Sequence, residues 1–377
     1  MTRRLISALI CAQAMGAITA GAQASSIVPS VGTRIVYDDN IFHRPAPESD
    51  LSVRFSPRLD GRRESERLAL TGSLELDADR FARHPELTTA RGGEAATIDA
   101  RYAASRRWSI AGTAAFTETE TPADLNELTA LTPGRARARR LLIHPTAVYD
   151  LGALASVTVG YLLTADSLTG GVGVTTETAS ASVDRHLSAR DALRVEYLEQ
   201  HFLFDAAQAN ASRAFTGEWT RQVDRATTLT LRAGPRVTAG VLAPEITASA
   251  RHALRAGRLS LDYQQTQTTL IGLMGIARTQ SLSASVERPL GPRVTLHVTT
   301  GIVEARQGTL PSHLYRISGG GHWGFARALA LDVSYDADRQ HGDPYASEPA
   351  QIIGRHLVTV KLVVSDPTRS TAGRSSR

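Results

Sequence analysis

The chain is poor in the residues that most exported proteins use to staple or anchor themselves. It has one cysteine, Cys11, and one lysine, Lys361, and aromatics make up only 5% of its 377 residues. No stretch beyond the first two dozen residues approaches the roughly 18 consecutive apolar residues that a membrane-crossing helix requires. Arg3 and Arg4 precede an apolar run over 5–18, and Ala22-Gln23-Ala24 sets small residues at the third and first positions before a cut. This pattern predicts a secretory leader over 1–24, cleaved before Ser25. The leader takes Cys11 with it, so disulfides and thiolate metal sites are excluded from the mature chain. The formal charge of +5 falls to +3 without Arg3 and Arg4. The remaining arginines are scattered among acids rather than gathered in a patch, which argues against nucleic acid as a partner.

What the sequence does have is alternation. Over 68–78, Leu68, Leu70, Gly72, Leu74, Leu76 and Ala78 fall on one side, and Ala69, Thr71, Ser73, Glu75 and Asp77 on the other. Side chains in a strand alternate with period two, so such a segment has one oily and one wet face. The same reading places strands at 33–42, 51–59, 68–78, 96–102, 108–116, 140–149, 155–165, 176–186 and 193–202. It continues at 215–223, 227–237, 245–253, 259–266, 280–288, 293–302, 314–325, 329–337 and 356–364. That makes about 18 strands, within a range of 16–18, and an even number is expected of a single-chain barrel with both ends on one side of a membrane.

The links sort by length. Short ones at 104–106, 150–153, 188–190, 224–225, 254–257, 290–292 and 327–328 alternate with longer ones at 82–94, 118–139, 166–175, 203–212, 267–279, 304–312 and 338–355. A soluble sandwich has no reason for that succession. The fold class expected is therefore all-β: a single antiparallel transmembrane β-barrel over 25–364, with short periplasmic turns and longer extracellular loops. A polar, disordered tail is expected over 365–377. Aromatics near strand ends, namely Tyr37, Phe42, Trp108, Phe116, Tyr149, Tyr197, Phe202, Trp219, Tyr315, Trp323 and Tyr335, are expected to face outward at the lipid headgroups.

The opposite face carries the charges. Candidate pore-lining residues are Arg54, Arg58, Glu75, Asp77, Asp99, Arg101, Arg194, Glu196, Glu218, Arg232, Glu245 and Arg251, with Gln200, Arg236, Asp262, Gln264, Glu287, His297 and Asp332 on the same side. Charges there need water or one another, and barrels of 16 to 18 strands are wide enough to hold an aqueous channel. Both signs occur, so the wall as a whole predicts no strong ion selectivity. Each of these residues also fits a structural ion pair of the wall. The link at 118–139 ends in Arg135, Arg137 and Arg139, followed by Arg140. It can fold inward as a constriction or cover the mouth, and the cover is the expectation here.

The mature N-terminus holds Val36-Tyr37-Asp38-Asp39-Asn40-Ile41-Phe42, followed by Leu51-Ser52-Val53-Arg54-Phe55-Ser56-Pro57. This resembles the opening of a family of β-barrel porins of Gram-negative outer membranes often linked with exopolysaccharide production and export. The resemblance is sharpest over 30–60. It implies an outer-membrane pore for polar solutes or a secreted polysaccharide, with outer-membrane lipid, the barrel-assembly machinery and polysaccharide export components as partners. On the residues themselves, Asp38, Asp39 and Asn40 are expected to end the first strand and cap its turn.

The rival readings are a non-conducting structural or surface-interaction barrel and an outer-membrane hydrolase. His144, His186, His201 and His297 are available, but no Gly-x-Ser-x-Gly frame, His-Glu-x-x-His motif or phosphate loop surrounds them, so no enzyme and no cofactor is expected. Gly319-Gly320-Gly321, inside a strand, is expected to mark a bend or bulge.

Overall fold

The computed structural model describes residues 24–126, 129, 131, 134–205, 209–307, 310–326, 328–342, 345 and 352–365. The expected leader over 1–23 and the tail from 366 onward lie outside the described residues. Eighteen strands follow in order. The first nine are β1 (Ala24–Asp38), β2 (Asp50–Glu64), β3 (Leu68–Phe81), β4 (Thr89–Ala103), β5 (Trp108–Thr119), β6 (Ala138–Gly152), β7 (Ala155–Leu168), β8 (Val174–His186) and β9 (Asp191–Phe204). The rest are β10 (Ala209–Gln222), β11 (Thr227–Thr238), β12 (Val241–Leu254), β13 (Gly257–Thr268), β14 (Ala277–Pro289), β15 (Val294–Gln307), β16 (Leu310–Ala326), β17 (Leu329–His341) and β18 (Ile352–Ser365). Two short 3-10 turns, Pro85–Leu87 and Pro122–Asp124, sit in the links. Every strand pairs antiparallel with its sequence neighbours, and β1 also pairs with β18, so the sheet closes on itself. The expected all-β barrel of 18 strands is what forms.

Alternation dictates which face meets lipid. Along β2 the apolar Leu51, Val53, Phe55 and Leu59 are exposed, and along β18 so are Val358, Val360, Leu362 and Val364. Such a ring of exposed aliphatic side chains is stable only against hydrocarbon. Aromatics mark its two borders. Tyr102, Trp108, Trp219 and Trp323 are exposed near the short-turn end, where Trp219 Nε1 donates to Asp191 at 3.2 Å. Near the other border, Tyr197 hydrogen-bonds Glu199 at 3.4 Å, Tyr263 hydrogen-bonds Gln265 at 3.2 Å and Tyr335 hydrogen-bonds His356 at 2.7 Å. Each ring sits in the apolar band with its hydroxyl turned to polar groups, the arrangement that favours tyrosine at a headgroup boundary.

The wall is taller than the band. Fourteen-residue strands such as β3 at about 3.3 Å per residue and a tilt of about 40° rise roughly 35 Å, against an apolar band of about 25 Å. The surplus lies at the long-link end, where outward positions turn polar. This explains the main difference from the sequence reading. Above the lipid both faces are wet, alternation fades, and paired backbone reads as loop. The real links shrink to 82–88, 169–173, 205–208 and 269–276, and those at 239–240 and 308–309 are as short as any at the other end. Likewise Ser365, expected in the tail, ends β18.

Short turns are held by side-chain caps. Asp224 accepts from the N–H groups of Ala226 and Thr227 at 2.6 and 2.8 Å, and the Ala226 bond is the main cause holding its carboxyl below the usual range. Ser105 and Ser188 cap their turns in the same way. The Gly319-Gly320-Gly321 run is not a bulge, because it pairs in regular register, and the irregularity falls at Gly324/Ala326. A Cβ on Gly320 would lie 2.7 Å from the Val333 carbonyl oxygen and 2.8 Å from His297 Cε1. Glycine there admits the imidazole of the neighbouring strand.

The closing seam uses the motif that carried the family resemblance. Asp38 accepts from the Asn40 N–H at 3.0 Å and pairs with Arg355 of β18. Asp39 accepts from the His356 N–H at 2.6 Å. Asn40, 1% exposed, donates to the Gly354 and Arg44 carbonyls and accepts from the Arg44 N–H. Three short polar residues thus cap the turn, as expected, and also latch the first strand to the last. Two aromatics depart from expectation. Phe202 is 1% exposed on the inner face, packed with Val174 and Phe204, because it shares parity with Gln200 rather than with Tyr197. Phe42 lies beyond β1, edge-on to His84.

Arginine at Val159 or Leu74, both outward, is expected to cost roughly 2–4 kcal/mol near the bilayer midplane, and arginine at the inward Thr158 much less. The check is the yield of the heat-modifiable folded band on a detergent gel, and equal yields for all three variants would refute the face assignment.

Candidate functional site

The site is the interior of the barrel. Leu125, in the 120–137 link, is 4% exposed. It borders one cavity of about 260 Å³ lined by Arg54, Glu75, Asp77, Thr117 and Leu142, and another of about 210 Å³ lined by Leu162, Gln200, Phe202 and Thr268. Those residues come from β2, β3, β5, β6, β7, β9 and β13. Only a position within the ring reaches both sets. The described residues Leu125, Asn126, Thr129 and Leu131 of this link therefore lie in the lumen, and the expectation that it covers the mouth is corrected. The cause is apolar: Leu125 and Leu131 have no lipid at that height and bury themselves instead.

A second link, 269–276, meets the first. Leu131 and Leu270, both 1% exposed, pack with Ala277, Ala305 and Leu314 of the inner wall. Leu125 and Ile271 pack with Ala138. Asn126 clamps the two links together. Its Nδ2 donates to the Leu131 carbonyl at 2.7 Å and to the Tyr345 hydroxyl at 3.1 Å, and its Oδ1 accepts from the Ile271 N–H at 3.1 Å. Tyr345 donates in turn to the Ile271 carbonyl at 3.1 Å. A buried amide with its groups engaged in this way fixes a single arrangement of the loops. The 169–173 link joins through Val172, whose N–H donates to Gly272 at 2.9 Å. Gly272 has φ +83°, and a Cβ there would lie 2.3 Å from Leu168 Cδ2, so the crossing requires glycine.

The candidate charges of the wall all fall on the inner face, alternating with the exposed apolar set, and most pair across strands. Arg54 bonds Asp79 at 2.7 Å and Asp77 at 3.1 Å, and Arg58 bonds Glu75 at 3.0 Å and Asp60 at 2.8 Å. Arg194 pairs with Asp184, Arg232 with Glu196, and Arg236 with Glu245. Glu218 sits in register between Arg194 and Arg232, and Asp99 accepts from Thr113 at 2.6 Å. Arg101 and Arg251 have no ion pair within 4.0 Å among the described residues, and they stand apart from the loops near the short turns.

Exposure of most of these pairs falls toward the long-link end, while Arg316–Asp338 near that end stays 39% and 16% exposed. Arg62–Glu64, near the short turns, is 63% and 50% exposed, and Arg58–Asp60 43% and 43%. Arg54–Asp79 is 21% and 1%, Arg140–Asp166 21% and 7%, and Arg236–Glu245 4% and 9%. The lower lumen is open to water and the upper lumen is packed. Arg236 is fully engaged there: it also donates to Gln200 and Ser212, while Glu245 accepts from Thr266.

Electrostatics of the tucked links follow from burial. Burial raises the carboxyl of Asp124, against the pull of Arg355, Arg54 and Arg34. His43, in the 39–49 link, is lowered to about 3, chiefly by burial and then by the charge of Arg355. Sequence reasoning missed Asn126, Leu131, Ile271, Tyr345 and His43. The available signal was the apolar residues inside otherwise polar links, Leu125, Leu131, Leu270 and Ile271, which a solvent-exposed loop has no reason to keep.

No protein-family model and no curated protein matches the sequence. Among solved structures, the chain is similar to OccK3 (OpdO) of Pseudomonas aeruginosa, with TM-score 0.50 and 11% identity over 90% of this chain and 95% of that one. OccAB4 of Acinetobacter baumannii gives 0.49 and 9% identity over 92% and 99%, and the siderophore receptor PirA of Pseudomonas aeruginosa 0.41 and 8% over 90% and 80%. At such identities the likeness to OccK3 is one of fold.

Two predictions follow from the packed upper lumen. Glu245→Ala strands Arg236 in a dry network and should cost about 3 kcal/mol, whereas Glu64→Ala should cost less than about 1 kcal/mol; denaturant unfolding in detergent micelles reads the difference. The second concerns acid. A released 39–49 link restores His43 to its ordinary 6.5, so between pH 6.5 and about 3 the released form binds the extra proton. The tucked form is therefore fully favoured above pH 6.5 and loses ground as pH falls through that window. Asp124, in the 120–137 link, acts oppositely on that link: its raised carboxyl favours the buried arrangement when protonated and weakens it as pH rises. Protease cleavage within 39–49 should accelerate from pH 7 to pH 4.5 in the native protein, and the acceleration should flatten in His43→Asn.

Proposed function

We propose that the protein is an outer-membrane channel for small polar solutes, with its upper lumen narrowed by inward-folded links. The observation that carries this reading is the exposure gradient of the inner wall: a charged, water-accessible lower half beneath a packed neck. An apolar outer band with two aromatic borders supports the membrane placement, and the barrel fold shared with OccK3 supports the channel class. The pore-lining set is then Arg54, Arg58, Glu75, Asp77, Asp99, Arg101, Arg194, Glu196, Glu218, Arg232, Glu245 and Arg251. Most of it is paired, so its charges shape the water path more than they attract one sign of ion.

The resemblance to porins linked with exopolysaccharide points to a glycan as the larger cargo. The tucked links favour small solutes at rest, because a hydrated polymer passes only if the clamp at Asn126 opens. The same clamp favours a second reading, a barrel closed at rest. Planar-bilayer conductance tests both. Small, steady conductance is expected of the native protein, and Asn126→Ala, which unties the two links, should raise it several-fold. No current from either form would overturn the channel reading, and no increase in the variant would remove the clamp from it.

A further inference from the structure

The wall above the aromatic border is unevenly charged, and one sector stands out. Arg278 of β14 and Arg306 of β15 are register partners. Both point outward, since their neighbours Ala277, Thr279 and Ala305 are buried inside at 0%, 3% and 3%. One step along, His313 of β16 pairs in register with His341 of β17. Arg339 lies opposite Tyr315 of the border, and Gln340, buried at 4% between Arg339 and His341, shows that both of these also face out. Among the described residues, the one acid paired with this group is Glu304, bound by Arg306 at 3.0 Å. Elsewhere on the collar outward arginines meet acids, as in Glu199–Arg213 and Glu118–Arg139.

Two like charges directly opposite on adjacent strands repel, and Glu304 answers only one of them. Arg278 and Arg306 also flank a cleft of about 430 Å³ with Asn210, Thr238 and Gln267, which adds neutral hydrogen-bonding groups beside the two guanidiniums. A paired guanidinium fork is suited to phosphate oxygens. The height matters as much as the charge. The patch begins at Tyr315, exposed at the apolar border, so its arginines lie where lipid headgroups lie.

We propose that the β14–β17 face binds the phosphorylated headgroup of an outer-leaflet glycolipid, with Arg278, Arg306 and Arg339 holding the phosphates. This rests on the outer-membrane placement given above. It is independent of whether the lumen conducts.

The test uses full-length mature protein in zwitterionic detergent, titrated with a bisphosphorylated glycolipid, its dephosphorylated form, and inorganic phosphate. Binding is read by native mass spectrometry and by the shift in unfolding temperature. The native protein should bind the bisphosphorylated lipid and be stabilised by it. The combined variant Arg278→Gln, Arg306→Gln, Arg339→Gln should bind at least tenfold more weakly. Removing the outward pair Arg213→Gln with Glu199→Gln should leave binding unchanged and controls for surface substitution in general. Equal binding of the dephosphorylated lipid, equal occupancy by inorganic phosphate, or unchanged affinity in the triple variant would each overturn the proposal. Bilayer conductance on the same preparations separates the readings, since lipid binding without current would remove the channel and leave this site.

Discussion

A sheet in lipid has nowhere to leave an unpaired strand. Each buried backbone N–H or C=O without a partner costs several kcal/mol in hydrocarbon, and the edge of an open sheet would present a row of them. Closure of β1 on β18 removes that edge, and the remainder of the architecture follows from it. The closing pair is stitched over the nine register positions from Ser30 to Asp38 and fastened beyond the strand by Asp38, Asp39 and Asn40. These residues are separated from their β18 partners by more than 300 positions, as in the Asn40–Gly354 bond. The latch can therefore form only after the whole chain is present, which makes it a device of completion rather than of initiation.

Inside the ring the physics inverts. Apolar side chains cover the outside because lipid accepts them, and polar ones fill the inside because water does. Where the links displace that water, the same ion pairs pass from solvated to dry, and the cost of a misplaced charge rises with them. Arg236–Glu245 is tolerable in a dry setting because Gln200, Ser212 and Thr266 complete its hydrogen bonds. Arg62–Glu64 needs no such retinue.

How much of this was legible in the sequence depends on which solvent a residue meets. Period two survives wherever lipid lies on one side and water on the other, so the 18 strands and the inward charges could be read directly. It fades on the wet collar, so the ends of β4, β8, β10, β14 and β16 read as loop, and it fades again at 24–32 and 60–64, which pair as β1 and β2 at the short-turn end. Phe202 misled for a related reason: an aromatic at a strand end suggests the lipid border, and only its parity with Gln200 reveals the inward direction. The clamp was not legible. Asn126 is an ordinary loop residue until Ile271, Leu131 and Tyr345, up to 219 positions away, are brought around it.

The uneven dryness of the lumen has an electrical corollary. In a conduit of varying bore the resistance gathers at the neck, and the wide portion stays close to equilibrium with the bath on its own side. On the proposed channel reading, the watery half lined by Arg58, Arg101 and Arg194 would serve as an antechamber. If the barrel conducts as proposed, a voltage across the wall drops mainly over the short stretch around Leu125 and Asn126, where a few side chains feel nearly the whole of it.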